Sequence, residues 1–211
     1  GLAEEYLAPK ASHLVKGRRS LAQMQDTDAA SPGPRFVANL VAGRRQAENE
    51  WRFLRGYDPL WSDVVAGRTV RLSRLREIYK TLRQADGQRN IVLLKGRAGS
   101  GKTATLMQLG VELEARGLTA LWVDRSVDMS TAEIVDRVAE VKPDVILIDD
   151  LDIFGDFAAA MCRKLNRKGR TAVIASVRRT RYWILAAQEM AEVDGDAQLS
   201  DKDLEGIWVE G

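Results

Sequence analysis

The sequence has very few of the residues that form disulfides and zinc sites. Cys162 is the only cysteine and His13 the only histidine among 211 residues, which excludes an intramolecular disulfide and any Cys/His zinc pattern. A single cysteine fits a reducing compartment, so we expect a cytoplasmic protein. Because Cys162 lies in an apolar, helix-like stretch, its pattern favours a buried packing role over a nucleophilic one.

Long apolar runs and a strong net charge are also lacking. No stretch approaches the ~20 apolar residues of a membrane span, and no signal-peptide pattern opens the chain, so we expect no membrane partner. The net charge of +2 provides no general argument for nucleic-acid binding. The chain is long enough for one full α/β domain and part of another.

The most specific pattern is a glycine-rich loop followed by lysine and threonine. It has the form G-x-x-x-x-G-K-[ST] and runs Gly96-Arg97-Ala98-Gly99-Ser100-Gly101-Lys102-Thr103, with Ala104 as the last residue of the expected binding segment. Glycines let the backbone turn tightly, so that its N–H groups point at a phosphate chain. Lys102 is expected to reach the β- and γ-phosphates, and the Thr103 hydroxyl to bind Mg²⁺.

The surroundings of the loop distinguish a nucleotide site from a glycine-rich turn that binds nothing. Residues 90–95 form an apolar run typical of a buried parallel strand. After the loop, Leu106, Leu109 and Leu113 share one helical face. Strand, glycine loop and amphipathic helix occur in the order that phosphate binding requires, so the sequence favours a nucleotide site.

A carboxylate that holds the metal is expected at the end of a second buried strand. The apolar run at residues 145–148 is followed directly by Asp149 and Asp150. Ligands gather at the carboxyl ends of strands in open α/β sheets, so Asp149 is the expected Mg²⁺ partner. Asp150 is the candidate that orients or deprotonates the attacking water. The alternative is a strand that simply ends in a polar turn.

The rest of the chain alternates strand and helix patterns. This alternation predicts an α/β fold, a parallel sheet of about five strands with helices on both faces, preceded by a helical N-terminal segment. The expected strands are 90–95, 119–124, 145–148 and 170–176, with a weak one at 190–193. One helix is expected to begin near Lys102. Four others are expected at residues 36–55, 72–84, 131–139 and 154–165.

Arginines follow the strand at 170–176. If this strand lies between the two motif-bearing strands, Arg178 would sit beside the γ-phosphate, where a guanidinium binds phosphate oxygens bidentately. Arg179 is the second choice. The alternative, that these arginines begin a solvated helix, stays open. The adenine base is expected to lie against the loop around Val70 and Arg71.

With both phosphate motifs placed, the chain resembles the STAND NTPases, signalling ATPases related to AAA+ proteins and NB-ARC modules. The similarity rests on residues 96–103, 145–150 and 176–178. In addition, the segment Trp61-Ser62-Asp63-Val64, together with Arg71, is similar to the segment before the glycine loop in bacterial antiviral STAND proteins. The resemblance implies an ATP/ADP switch that uses Mg²⁺, hydrolyses ATP slowly and forms a homo-oligomer when activated, in antiviral defence.

The resemblance also implies a domain arrangement. Residues 56–193 would form the P-loop core, residues 1–55 a helical segment or linker from a preceding effector domain, and residues 194–211 the start of a truncated helical lid, with a helix from Ser200. A C-terminal sensor domain would follow in a longer chain. We therefore expect the sequence to be a fragment; a small complete protein is the alternative.

Two other enzyme classes use the same loop. A small-molecule or nucleotide kinase would need an acceptor site, and the sequence shows none. A nucleic-acid-dependent ATPase is indicated by the basic residues between Arg163 and Arg181, although a solvated basic face is the commoner explanation for such a run. ATP is preferred over GTP mainly because of the resemblance.

Overall fold

The computed structural model describes residues 33–42, 58–70, 75, 78, 91–169, 171–178, 180 and 205–208. The chain divides into two units, Gly1–Ser31 and Pro32–Gly211, and every described residue belongs to the second. Among the described residues, no helix combines the length and the apolar character needed to cross a bilayer.

Strands and helices alternate along most of this unit. The strands are β1 (Arg35–Phe36), β2 (Ile91–Gly96), β3 (Ala120–Val123), β4 (Val145–Ile148), β5 (Ala172–Arg178) and β6 (Glu205–Trp208). The helices are α1 (Val37–Ala42), α2 (Trp61–Val65), α3 (Lys102–Ala115), α4 (Thr131–Val141) and α5 (Ala158–Gly169). A 3₁₀ helix, Leu151–Phe157, lies between β4 and α5.

The described strands form one largely parallel sheet in the order β1-β3-β4-β5-β2-β6. All described neighbours run parallel except β1, which pairs antiparallel with β3. The predicted α/β fold with a largely parallel sheet is confirmed. Strand β5 lies between β2 and β4, so the glycine loop and the acid pair emerge at the same edge of the sheet, on either side of the end of β5.

Helices cover both faces of the sheet. Because successive strand residues point to opposite faces, the two faces use alternate positions of each strand. One face of the sheet packs against α1, α2 and α3. The core between them contains Val37, Leu40, Trp61, Val64, Leu106, Leu109 and Leu113 of the helices and Val92, Leu94, Trp122, Leu147 and Ile174 of the strands. The buried positions in between face α4 and α5, whose own buried residues are Ile134, Val135, Val138, Ala158, Met161, Cys162 and Leu165.

Helix α3 packs closely against its neighbours at Gly110. A Cβ atom there would lie 2.9 Å from Leu147 Cδ1, 3.3 Å from Val37 Cγ1 and 3.4 Å from Trp61 Cη2. Trp61 in turn packs edge-on against Trp122 of β3, with ring centroids 5.0 Å apart and an interplanar angle of 81°. The missing side chain at Gly110 therefore lets α1, α2 and the sheet meet α3 at one point.

The N-terminal boundary of the core lies earlier than predicted. Phe36, the expected first residue of a helix, belongs to β1, and the helix begins at Val37. Strand β1 pairs with β3, and Leu40 is buried in the core. The described part of the predicted segment 1–55 is thus built into the sheet domain. A two-residue strand is too short to leave a periodic pattern in the sequence.

The helix predicted from Ser200 is wrong for the residues that the structure describes. Residues 205–208 form β6, which runs parallel to β2 with Glu205 opposite Val92. Backbone pairing with the open edge of β2 satisfies donors and acceptors that a strand edge would otherwise expose, and such pairing overrides a weak helical pattern. Residues 200–204 and the weak strand predicted at 190–193 lie outside the described residues.

The helix predicted at 154–165 begins later, at Ala158. Gly155 has φ 53° and ψ −131°, which interrupts the helical path and separates the 3₁₀ helix from α5. Of the helix predicted at 72–84, the structure describes Leu75 and Ile78, which are helical and buried. The predicted domain bound between residues 193 and 194 lies outside the described residues and stays a prediction.

Replacing Gly110 by alanine is expected to destabilise the chain by about 1 kcal/mol. Overpacking of a core costs roughly 1–3 kcal/mol, and the better helix propensity of alanine offsets up to ~1 kcal/mol of it. Urea unfolding measures the change. In a Leu147→Val background the penalty should shrink, because Cδ1 of Leu147 is the nearest contact. A gain of stability for Gly110→Ala in the unaltered chain would contradict this packing.

Candidate functional site

The glycine loop connects β2 to α3 and is open to solvent. Gly99 and Gly101 have φ values of 75° and 82°, a region that favours glycine. Gly101 is also the N-cap of α3 and provides no side-chain cap. The first N–H groups of α3 therefore have no side-chain acceptor at the cap, and they face the loop where an anion can bind. Among the described residues, no partner forms a hydrogen bond with the buried Oγ of Ser100.

Lys102 folds back into this loop. Its Nζ donates to the backbone oxygen of Arg97 at 2.8 Å and to that of Gly96 at 3.4 Å. Burial lowers the pKa of Lys102, while the charges of Asp150 and Asp149 act in the opposite direction. The ammonium group is thus held inside the loop by hydrogen bonds to carbonyl oxygens. Phosphate oxygens are negatively charged and therefore stronger acceptors, so they could replace these carbonyl oxygens.

Asp149 follows β4 and is buried. Its Oδ1 accepts hydrogen bonds from Thr103 Oγ1 at 3.1 Å and from Ser176 Oγ at 2.8 Å. Burial raises the pKa of Asp149, and the charge of Asp150 adds to this, whereas the two hydroxyl groups lower it. The first turn of α3 and the ends of β4 and β5 therefore meet at a single carboxylate.

Ser176 is a site residue to which the sequence analysis gave no role, although it belongs to the motif 176–178. Its Oγ accepts a hydrogen bond from the N–H of Asp150 at 2.8 Å while it donates to Asp149. It is fully buried on β5, so one hydroxyl fixes both acids. The sequence did contain a signal for this role, because Ser176 is a polar residue in an otherwise apolar strand. A buried hydroxyl group needs hydrogen-bond partners, so such a residue indicates polar groups nearby.

Asp150 lies in the left-handed region, with φ 52° and ψ 62°. Its Oδ2 is 3.1 Å from Nη2 of Arg125 and 3.9 Å from Nη2 of Arg178. Nε of Arg178 is 3.8 Å from Oδ2 of Asp152. The structure thus brings Arg178 to the acids, at the end of the strand between β2 and β4. The side chain of Arg179 lies outside the described residues.

The segment before the glycine loop is anchored to α3. Gln108 Nε2 donates to Thr69 Oγ1 at 2.8 Å and to the backbone oxygen of Val70 at 2.9 Å. Asp63, which is buried, accepts a hydrogen bond from the N–H of Leu60 at 2.9 Å. These contacts fix the loop expected to lie beside the adenine base, as far as Val70. Arg71, the expected base-side residue, lies outside the described residues.

The oxygen donors at the site fit Mg²⁺. The Thr103 hydroxyl and the Asp149 carboxylate lie 3.1 Å apart, and both are hard oxygen ligands. Over the described part of the chain, no group of three or more His, Cys, Asp or Glu side chains could hold a metal ion. An ion here would therefore need water or phosphate oxygens as well, which is the usual manner of Mg²⁺ binding.

Comparison with known proteins identifies one family. A family model described as Novel STAND NTPase 5 matches residues 51–190, a range that contains the glycine loop, Asp149, Asp150 and Arg178. No curated protein matches the sequence.

Several solved structures are similar to the chain. The S. cerevisiae Hsp104:casein complex has a TM-score of 0.48 and 17% identity over 71% of this chain and 29% of that chain. AMPPCP-bound DnaA from Aquifex aeolicus has a TM-score of 0.42 and 17% identity over 68% and 49%. Domain III of Thermotoga maritima DnaA has a TM-score of 0.45 and 17% identity over 72% and 69%. The chain thus spans less than two thirds of the length of the first two matched chains.

Asp149→Asn is expected to stabilise the nucleotide-free chain increasingly as the pH rises. Because burial raises the pKa of Asp149 above its ordinary value of 3.8, the folded state binds this proton more tightly than the unfolded chain. Stability is therefore lost as the pH rises from 3.8 through the raised pKa. Asparagine keeps an oxygen for both hydroxyl groups but carries no buried charge.

Urea unfolding of both proteins between pH ~4 and ~7 measures this difference. Asp128→Asn, which alters an exposed acid in the connection before α4, is the matched control. A difference between Asp149→Asn and the unaltered chain that does not change with pH would contradict the raised pKa.

Proposed function

Because the chain belongs to the Novel STAND NTPase 5 family, we propose that it is an ATP-binding switch module that hydrolyses ATP slowly. The observation that carries the proposal is the meeting of Lys102, Thr103 and Asp149 at the edge of the sheet, with Thr103 and Asp149 in direct contact. These are the groups that bind phosphate and metal in enzymes with this loop.

In the proposed function, the loop from Gly96 to Ala104 holds the phosphates of ATP or ADP. Its backbone N–H groups and the start of α3 bind phosphate oxygens. Lys102 exchanges its two backbone carbonyl partners for oxygens of the β- and γ-phosphates. Mg²⁺ bound by Thr103 and Asp149 would neutralise part of the phosphate charge. Arg71 contributes on the adenine side.

Asp150 is the proposed residue that orients the attacking water. Its N–H is fixed by Ser176, so the backbone that carries the carboxylate is held in one position. Aspartate is one methylene shorter than the glutamate common in fast ATPases, and imperfect alignment of the water lowers the rate. Slow turnover suits a switch that must keep its triphosphate state.

Arg178 is the proposed sensor of the γ-phosphate. Its contacts with Asp150 and Asp152 are 3.9 and 3.8 Å long, and its side chain is half-exposed. Exposed ion pairs of this kind contribute little, roughly 0–1 kcal/mol. A γ-phosphate beside Lys102 would offer a charged, bidentate acceptor, so Arg178 would leave the acids in the ATP state and return to them in the ADP state.

The wider role rests on the resemblance to signalling ATPases. We place this module in a longer cytoplasmic chain, between an N-terminal effector and a C-terminal sensor, and we expect ATP binding to promote homo-oligomerisation in antiviral defence. Among the described residues, no observation specifically favours the kinase or the nucleic-acid-dependent ATPase.

Lys102→Ala is expected to weaken Mg-ATP binding at least tenfold, because a hydrogen bond to a charged group contributes roughly 1.5–3 kcal/mol. Titration with fluorescent ATP, with ADP and GTP as competitors, measures affinity and base preference together. Lys164→Ala on α5 is the matched control, since that lysine is exposed. Failure of the unaltered chain to bind any of the three nucleotides would contradict the proposed function.

Asp150→Asn is expected to keep ATP affinity and to lower the hydrolysis rate about 100-fold, within the range lost with a general base. Phosphate release under saturating ATP measures the rate. Asp128→Asn serves again as the control for loss of one negative charge. Hydrolysis by Asp150→Asn at the unaltered rate would remove Asp150 from the mechanism.

A further inference from the structure

Three residues after β3 form a tightly bonded turn, which we call the 124–126 loop (Asp124, Arg125 and Ser126). Asp124 accepts hydrogen bonds from Trp122 Nε1 at 2.7 Å, from Arg35 Nη2 at 2.9 Å and from the N–H of Ser126 at 2.8 Å, and also from the hydroxyl of Ser126. Burial alone would raise the pKa of Asp124, but these hydrogen bonds and the charge of Arg35 outweigh it and lower the pKa. The loop is therefore held around an ionised carboxylate.

Arg35 secures both ends of this loop from a distant part of the chain. Besides Asp124, its Nη2 contacts the Ser126 hydroxyl oxygen at 3.0 Å. Arg35 belongs to β1, where it lies opposite Trp122 of β3. Its side chain is 29% exposed and that of Asp124 is 24% exposed, so both groups are partly shielded from solvent. A two-residue strand thus places one guanidinium across the whole 124–126 loop.

Arg125, the middle residue of the loop, reaches the acid proposed to orient water. Its Nη2 donates to Asp150 Oδ2 at 3.1 Å, although the arginine side chain is 69% exposed. An exposed ion pair between two free side chains would be weak. Here both sides of the contact are already held: Arg35 binds the side chains of Asp124 and Ser126 next to Arg125, and Ser176 binds the backbone N–H of Asp150. Arg125 and Asp150 therefore lose less conformational freedom when they form their ion pair, so the contact is preorganised.

We propose that Arg125 is a positioning residue for ATP hydrolysis and that Arg35 acts through it. Arg35 fixes the 124–126 loop, the loop fixes Arg125, and Arg125 holds Oδ2 of Asp150 so that its other carboxylate oxygen faces the attacking water. This inference rests on the proposed function.

Arg178 cannot replace Arg125 in this role. Its distance to the same carboxylate oxygen is 3.9 Å, against 3.1 Å for Arg125. In the proposed ATP state Arg178 moves to the γ-phosphate. Of the two arginines that form ion pairs with Asp150 in the described part of the chain, Arg125 is then the one that stays on the carboxylate while ATP is hydrolysed.

The test measures turnover and Mg-ATP affinity separately. For Arg125→Ala we expect kcat to fall about tenfold with an unchanged Kd, because misorientation of a catalytic group reduces rate without weakening binding. Arg125→Lys should recover part of the loss, since it keeps a cation. Arg35→Ala should lower kcat several-fold, and Arg35→Ala with Arg125→Ala should be no slower than Arg125→Ala alone, because the two residues act in series.

The matched control is Arg137→Ala on α4. Arg137 lies 3.5 Å from Glu140 in another exposed ion pair, and its loss should leave both kcat and Kd unchanged. The five tryptophans provide a second readout without nucleotide. The Trp122 indole N–H resonance, assigned with Trp122→Phe, should shift in Arg35→Ala, because that indole shares Asp124 with Arg35.

The outcomes separate this proposal from the proposed function. Unchanged or increased kcat in Arg125→Ala, with normal ATP binding, would overturn the positioning role alone. Additive losses in the double variant, or an unmoved Trp122 resonance in Arg35→Ala, would overturn the action of Arg35 through the loop. Absence of ATP binding by the unaltered chain would instead overturn the proposed function.

Discussion

The buried carboxylate of Asp149 is the constraint on which the site depends. A buried charge is costly unless hydrogen-bond donors surround it, and Thr103 and Ser176 provide those donors from two other elements. These bonds require the first turn of α3 and the end of β5 to lie beside β4. The strand order, with β5 between β2 and β4, makes this arrangement available. The contacts that stabilise the acid are therefore also those that assemble the site.

Strand β1, the outer strand beside β3, also contributes a side chain near the carboxyl ends of β3 and β4. Arg35 of β1 and Arg125 of the 124–126 loop form a series of contacts from the strand beside β3 to Asp150. These contacts connect the antiparallel strand at one side of the sheet with the acid proposed to orient the attacking water.

Local patterns predicted the four central strands because each is a buried apolar run with a clear turn signal at its end. They did not predict β1 or β6. Strand β1 contains only two residues, too few for a period to be recognised. Strand β6 is as long as β3 and β4, but its sequence, Glu205-Gly206-Ile207-Trp208, is not a continuous apolar run. Both strands exist because the edges of β3 and β2 offer backbone partners. Gly155, which delays α5, acts through a backbone angle that the helical pattern of its neighbours does not reveal.

Within the site, local sequence patterns predicted the glycine loop, Lys102, Thr103 and the Asp149-Asp150 pair, because phosphate and metal binding need those residue types at those spacings. It also supported Arg178, on the condition that β5 lies centrally. The strand order meets that condition, and the folded contacts revealed the roles of Ser176, Arg35 and Arg125. Their contacts join residues 25 to 91 positions apart. Such long-range hydrogen bonds depend on how strands are ordered in the sheet, which no local sequence pattern encodes.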